Sequence, residues 1–354
     1  MRSASKRAAR LFAAVVGAAL TVALTAPARA QTAAEIDAAL KAAFTKFQNL
    51  QEGKNADYIP ALAEVDPKIY GIALVTVDGK VYTTGDITSE VSIQSISKVF
   101  TMARVMEEQG PEAIEKNMGV DATGQVFNSI IAIEQYKGKE MNPLVNAGAI
   151  TTTSMIGGGT ADAVWRNIMT TLNAFAGRDL SVNQEVYKSE AETNQRNQAI
   201  AQLMFAYEHI SANPMQATDL YTRQCAVSVN AKDLAVMAAT LANAGRNPLT
   251  RQQVVRADLV PPILAVMATA GLYDDSGKWL FATGLPAKSG VGGGLIAVSP
   301  GKFGIAVVSP PLDAAGNSVR GQKAIADISA ALGGNPYLAT PRTTVASRNG
   351  RNGK

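Results

Sequence analysis

Ser92-Ile93-Gln94-Ser95-Ile96-Ser97-Lys98-Val99-Phe100 is the stretch whose reading decides the fold. Apolar Val99, Met102, Val105 and Met106 recur at helical spacing, which predicts Ser95 in the first turn of a buried helix. Residues three apart share a helix face, so the Ser95 hydroxyl and the Lys98 amine can meet without help from the rest of the chain. A serine hydroxyl is a poor nucleophile until a base takes its proton, and a desolvated lysine can be that base. The positive end of the helix also favours a developing anion. Alone, Ser-x-x-Lys is a common pattern and most often marks a solvated lysine near a helix start.

A second motif, Lys288-Ser289-Gly290, raises its weight, because serine–lysine acyl-transfer enzymes pair Ser-x-x-Lys with Lys-Thr-Gly. Two further motifs are Asn142-Pro143-x-x-Asn146-Ala147-Gly148-Ala149 and Tyr273-Asp274, and the downstream motif sits in Gly284-Leu285-Pro286-Ala287-Lys288-Ser289-Gly290-Val291. With Gln94-Ser95-x-x-Lys98 they resemble the serine-dependent glutaminase family, from about Ala56 to Gly316. The resemblance implies a mixed α/β fold like that of serine β-lactamases and penicillin-binding proteins. It implies hydrolysis of L-glutamine to L-glutamate and ammonia without a cofactor, and a homo-oligomer, dimer or tetramer.

The resemblance also assigns roles. Ser95 attacks the amide carbon and Lys98 takes its proton. The backbone N–H groups of Ser95 and Val291 receive the oxyanion, and Gly290 allows the backbone to come close. Tyr273 protonates the leaving ammonia, its pKa lowered by a nearby lysine. Glu190 binds the substrate ammonium, while Asn146, Asn197 and Tyr221 donate to its carboxylate. Tyr58 closes the pocket, and Gln94 joins the binding residues. Glu190 and Asn197 are seven apart, hence on one face of a continuous helix. Blander readings stand beside these: Lys288 as a strand-edge gatekeeper, Glu190 as a solvated helix charge, Tyr273 as an aromatic before a turn. A β-lactam-binding or hydrolysing enzyme and a non-catalytic amino-acid binder are the competing functions. The first lacks a convincing Ser-Asp-Asn element, and intact Ser95, Lys98 and Tyr273 argue against the second.

The remaining composition narrows the field. Cys225 is the only cysteine and His209 the only histidine, so no intrachain disulfide, zinc-type cluster or ordinary Ser-His-Asp triad is expected. Cys225 lies in an apolar helical run and reads as packing; His209, before Asn213-Pro214, reads as surface or capping. Residues 1–30 read as a signal peptide: Arg2, Lys6, Arg7 and Arg10, an apolar run Leu11 to Ala26, then Ala28-Arg29-Ala30. The run is short for a membrane span, so cleavage between Ala30 and Gln31 and export to the periplasm or medium are expected. Of 33 Lys and Arg, five lie in that leader; the 28 that remain face 29 Asp and Glu. The mature chain thus has no basic excess to argue for nucleic acid. Residues 340–354, polar and basic, read as a disordered tail.

Periodicity gives helices over Ala33 to Gln48, from Tyr58-Ile59-Pro60, and over Pro111 to Asn117, Asn146 to Met155, Ala161 to Ala176, Asn183 to His209, Met215 to Ala244 and Asn317 to Leu332. Strands are expected over Tyr70 to Val77, Lys80 to Thr84, Trp279 to Thr283, from Lys288, over Leu295 to Val298 and over Phe303 to Ser309. Asp78-Gly79 marks a hairpin. Strands at both chain ends with helices between predict one antiparallel sheet and a large helical insertion. The expected division of the catalytic unit 31–339 is a sheet subdomain, about 31–94 and 250–339, and a helical subdomain, about 95–249.

Overall fold

The computed structural model describes residues 31–139 and 141–338. The expected leader and basic tail lie outside them.

Five strands form one antiparallel sheet: β1 Gly71–Thr76, β2 Val81–Gly85, β5 Ala287–Ser289, β6 Gly294–Ser299 and β7 Phe303–Val308, in the order β2-β1-β7-β6-β5. The two chain ends meet where β1 pairs β7, with Ile72 opposite Val307 and Leu74 opposite Ile305. Alternation sorts the side chains between faces. Ile72, Leu74, Ile305 and Val307 pack against the Ala33–Phe47 and Val319–Ala331 helices. Ala73, Val75, Ala306 and Val308 point the other way, into the larger core. That face is covered by the Ala231–Ala242 helix, which lies on β7, β1 and β6. Gly304 permits the approach, since a Cβ there would sit 2.0 Å from the Ala239 nitrogen. This helix comes from the stretch expected to form the helical subdomain, yet it is part of the sheet's packing. Two short strands, β3 Val91–Ser92 and β4 Ser228–Val229, pair antiparallel and tie the start of the Ser95 segment to the chain after Cys225.

Three expected elements differ. The long helix from Asn183 is two, Gln184–Thr193 and Gln195–Ala206. Asn194 breaks it: its Nδ2 donates to Thr222 Oγ1 at 2.9 Å and its Oδ1 accepts from Gln198 Nε2 at 2.7 Å. The helix expected from Met215 to Ala244 ends at Cys225 and restarts at Ala231, capped by the reciprocal Asn230–Asp233 pair. Trp279 to Thr283 is helical, within Ser276–Thr283, not a strand. Its aromatic, β-branched composition suggested strand, but Thr283 Oγ1 donates back to the Trp279 carbonyl and Gly284 closes the helix at φ 70. A further helix, Val260–Ala270, was not read from the sequence.

Candidate active site

A turn of 3-10 helix, Gln94–Ile96, leads into the Ser97–Gln109 helix and carries Ser95 at its centre. Gln94 just before it has φ 49, in the left-handed region that a non-glycine residue occupies only when its surroundings hold it there. The restraints are visible. Ser97 Oγ donates to the Gln94 carbonyl at 2.7 Å, and Gln94 Nε2 donates to Glu190 Oε2 at 3.1 Å and to Ser92 Oγ at 3.3 Å. The end of β5 closes on the same turn, because a Cβ on Gly290 would lie 2.6 Å from the Ile93 carbonyl oxygen.

Lys98 is wholly buried. Its Nζ donates to Asn146 Oδ1 at 2.7 Å and to the Leu144 carbonyl at 3.3 Å. The contact with Ser95 that the spacing allows is not made in this structure, because those two acceptors hold the amine. Burial lowers the Lys98 pKa to about 8, against the pull of Cys225 and Glu190, which favour its charge. Lys288 is also fully buried, which rules out its reading as an exposed strand-edge gatekeeper. Its Nζ donates to the Ser289 carbonyl at 2.8 Å and stands 4.0 Å from the centre of the Tyr273 ring. Burial, with Lys98 nearby, holds the Lys288 pKa well below the ordinary lysine value.

Tyr273 also has a left-handed backbone, φ 58. Its hydroxyl points at the Ser289 carbonyl, 3.5 Å away, and Phe127 packs on its ring with centroids 4.9 Å apart. The expectation of a lowered tyrosine pKa is reversed. Burial pushes it up to about 12, and hydrogen bonding with Ser95 and Ser289 works only partly against that. Proximity to lysine was foreseen, and Lys288 does stand 4.0 Å from the ring centre, but burial outweighs it.

Above these groups lies a cavity of about 250 Å³. Its wall holds Ser95 with Tyr58, Gln94, Asn146, Glu190, Asn197, Tyr221 and Val291, so every binding residue expected from the sequence is brought together. Glu190 is buried, and burial raises its pKa to about 7, opposed by the Gln94 hydrogen bond and by Lys98. Asn146 Nδ2 donates to Asn197 Oδ1 at 2.9 Å, and Tyr221 Oη donates to Asn146 Oδ1 at 3.2 Å. Glu190 and Asn197 reach one cavity from two helices joined at Asn194, not from one continuous face. Tyr58 stands at the rim, 53% exposed.

Sequence reasoning missed Phe127, Asn128, Asn194 and Arg196, which also line the cavity; Arg196 Nε donates to the Asn128 carbonyl at 3.0 Å. Arg196 adjoins Asn197 and was findable; Phe127 lies in a loop without periodicity. The two lone residue types fall as expected. Burial pushes the Cys225 thiol up to about 12, and the His209 ring bridges the Asn117 and Lys137 carbonyls away from the cavity. A larger, open hollow of about 710 Å³ beside Lys54, Lys278 and Lys323 has no serine, threonine or cysteine among its lining residues.

The family model for glutaminase matches residues 53–337. A glutaminase of Colwellia psychrerythraea (strain 34H) is 53% identical over 302 residues, 85% of this chain and 97% of that protein. A glutaminase of Brucella canis is 50% identical over 313 residues, 87% and 98%. A solved structure described as the probable glutaminase ybaS superposes with TM-score 0.86 at 47% identity, covering 87% of this chain and 100% of that one.

Proposed function

The chain belongs to the glutaminase family, with its serine β-lactamase-like fold, and on that premise we propose that it hydrolyses L-glutamine through a Ser95 acyl-enzyme with Lys98 as base. The observation that carries the mechanism is the cavity itself: Ser95 opens into it, Glu190 and Asn146 line it, and a desolvated Lys98 is bonded to Asn146 from beneath. Glu190, charged above about pH 7, pairs with the substrate ammonium. Asn146, Asn197 and Tyr221 take the carboxylate, which fixes the amide carbon at Ser95. Lys98 loses its proton above about pH 8 and can then take the Ser95 proton. The Ser95 and Val291 N–H groups receive the oxyanion. Tyr273 keeps its proton at working pH and gives it to the departing nitrogen, and water then cleaves the ester.

The test is labelling of Ser95 by an electrophilic glutamine analogue, together with ammonia release by Ser95→Ala. Turnover is expected to fall at least roughly a thousandfold in the variant. Labelling of Cys225 instead would sink the assignment. A chromogenic cephalosporin separates the β-lactam reading, and ammonia release separates the binder. Export follows from the reading of residues 1–30; intact mass beginning at Gln31 tests it, and a membrane species retaining Met1 overturns it. Assembly as a dimer or tetramer rests on the family resemblance and is read by light scattering.

A further inference from the structure

A second hollow of about 180 Å³ adjoins the substrate cavity. Tyr58, Phe127 and Val291 form the wall between them. One of its lining residues is Gly316, and a Cβ there would stand in ordinary contact with Val291 Cγ1 at 3.5 Å and Tyr273 Cε2 at 3.9 Å. The hollow thus reaches Val291, assigned to the oxyanion, while Tyr273 lines a separate hollow of about 80 Å³. The next residue, Asn317, is fully buried, and neither its Nδ2 nor its Oδ1 has a protein partner among the described residues. Asn55, which lines the hollow, has its Oδ1 in the same condition. Buried amide atoms without a protein partner are places for ordered water. The lining also carries Asp313, and Asp57 ion-paired with Lys54 at 2.6 Å.

Such a hollow answers a problem set by the chemistry. After acylation the glutamyl group still fills the first cavity. Ammonia must leave, and water must arrive, on the side of the acyl carbon where the nitrogen departed. Val291, whose N–H is assigned to that carbon's oxygen, forms part of the wall between the hollow and the cavity. We propose that the hollow behind Val291 is the port through which the hydrolytic water reaches the Ser95 ester. The proposal rests on the acyl-enzyme reading. In the first half the C–N bond breaks, the Ser95 Oγ–C bond forms, and ammonia carries off the serine proton relayed by Lys98 and Tyr273. In the second half water adds to the ester carbon, its proton returns to Ser95 Oγ as the C–O bond breaks, and glutamate is released.

Ala315→Phe puts a ring into the hollow from a residue outside the catalytic machinery. Acylation is untouched and deacylation is starved of water. The expected result is a fall of about tenfold in kcat and KM together, with kcat/KM unchanged. A glutamyl adduct on Ser95 should accumulate in acid-quenched protein, read by intact mass. Because the Ala315 N–H also bonds Asp313 Oδ1, Ala314→Phe from the exposed side of the same loop serves as the second variant. Folded variants with wild-type kcat overturn the port and leave the acyl-enzyme standing. A fall in kcat/KM without adduct overturns it too. Absence of adduct in every variant, with Ser95 unlabelled by the electrophile, removes the covalent reading and the port with it.

Discussion

Lys98→Met should trade activity for a pH-dependent gain in stability. The side chain is nearly isosteric, so packing is kept. In the folded protein burial lowers the Lys98 pKa from 10.5 to about 8. Below pH 8 the lysine is therefore protonated in both states, and the fold bears the full penalty of holding that charge, about 3 kcal/mol at about 1.4 kcal/mol per unit. Between about pH 8 and 10.5 the unfolded chain binds a proton that the folded one does not. Stability of the wild type then rises with pH, and the penalty disappears. At pH 9.5 only about 1 kcal/mol of it remains. Methionine has no such term, but it leaves the Leu144 carbonyl without its donor at a cost of about 1–3 kcal/mol. Asn146 Oδ1 keeps the Tyr221 hydroxyl. The variant should thus equal or exceed wild type by about 1 kcal/mol at pH 7, and its advantage should shrink by about 2 kcal/mol at pH 9.5. Lys288 acts in the same direction, since its own pKa is depressed partly by Lys98. Urea unfolding of both proteins at the two pH values measures the difference. A stability difference that does not move with pH would refute a desolvated, depressed Lys98, and with it the base assignment.

On the same reasoning, kcat/KM should rise from pH 6 to 9 as Glu190 and then Lys98 lose protons, with no falling limb from Tyr273 below about pH 11; a profile flat over that range contradicts both burial effects. Glu190→Gln should lose about 2–5 kcal/mol in kcat/KM on glutamine and little on an amide lacking the α-amino group; equal losses on both make Glu190 structural. Asparagine, one methylene shorter, should be at least about 100-fold poorer, because α-groups anchored at Glu190 and Asn146 leave its amide carbon short of Ser95; comparable ammonia release from the two amides refutes that anchoring. Gly304→Ala should destabilise by at least about 1–3 kcal/mol by forcing the Ala231–Ala242 helix off the sheet, and a melting temperature equal to wild type would deny that contact its importance.

What could be read from the sequence was what local spacing or a turn residue dictates. The Asp78-Gly79 hairpin, the β1 strand and the Ser95 turn are all short-range features, and they stand where they were expected, though β1 is buried on both faces. Helix breaks were not legible, because Asn194 is an ordinary helix residue until Thr222 is beside it to take its amide. The Trp279 segment failed for a related reason: its composition fits a strand, but it packs between the Val260–Ala270 and Val319–Ala331 helices. Within the site, residue identities were legible through several separated motifs, whereas charge states were not. Tyr273 beside lysine implied a lowered pKa; the depth of burial reverses the sign.

The site joins the two parts of the chain at their most constrained points. Ser95 and Lys98 come from the helical part, while Lys288 and Val291 come from the end of β5 and the turn after it. Between them only Gly290 fits against the Ile93 carbonyl, and β3 with β4 fastens the same region from the other side. Two non-glycine residues, Gln94 and Tyr273, sit in left-handed backbone at this junction, and two lysines are buried beside them. Each of these four features costs stability, by about 1–3 kcal/mol for each strained residue. Features so costly persist together only where the rest of the fold over-determines them, here two extensive apolar cores on opposite faces of one sheet. A fold held by those cores can keep an amine's pKa low and a backbone strained at the same place. That combination is what a serine needs if its hydroxyl is to attack an amide without a histidine.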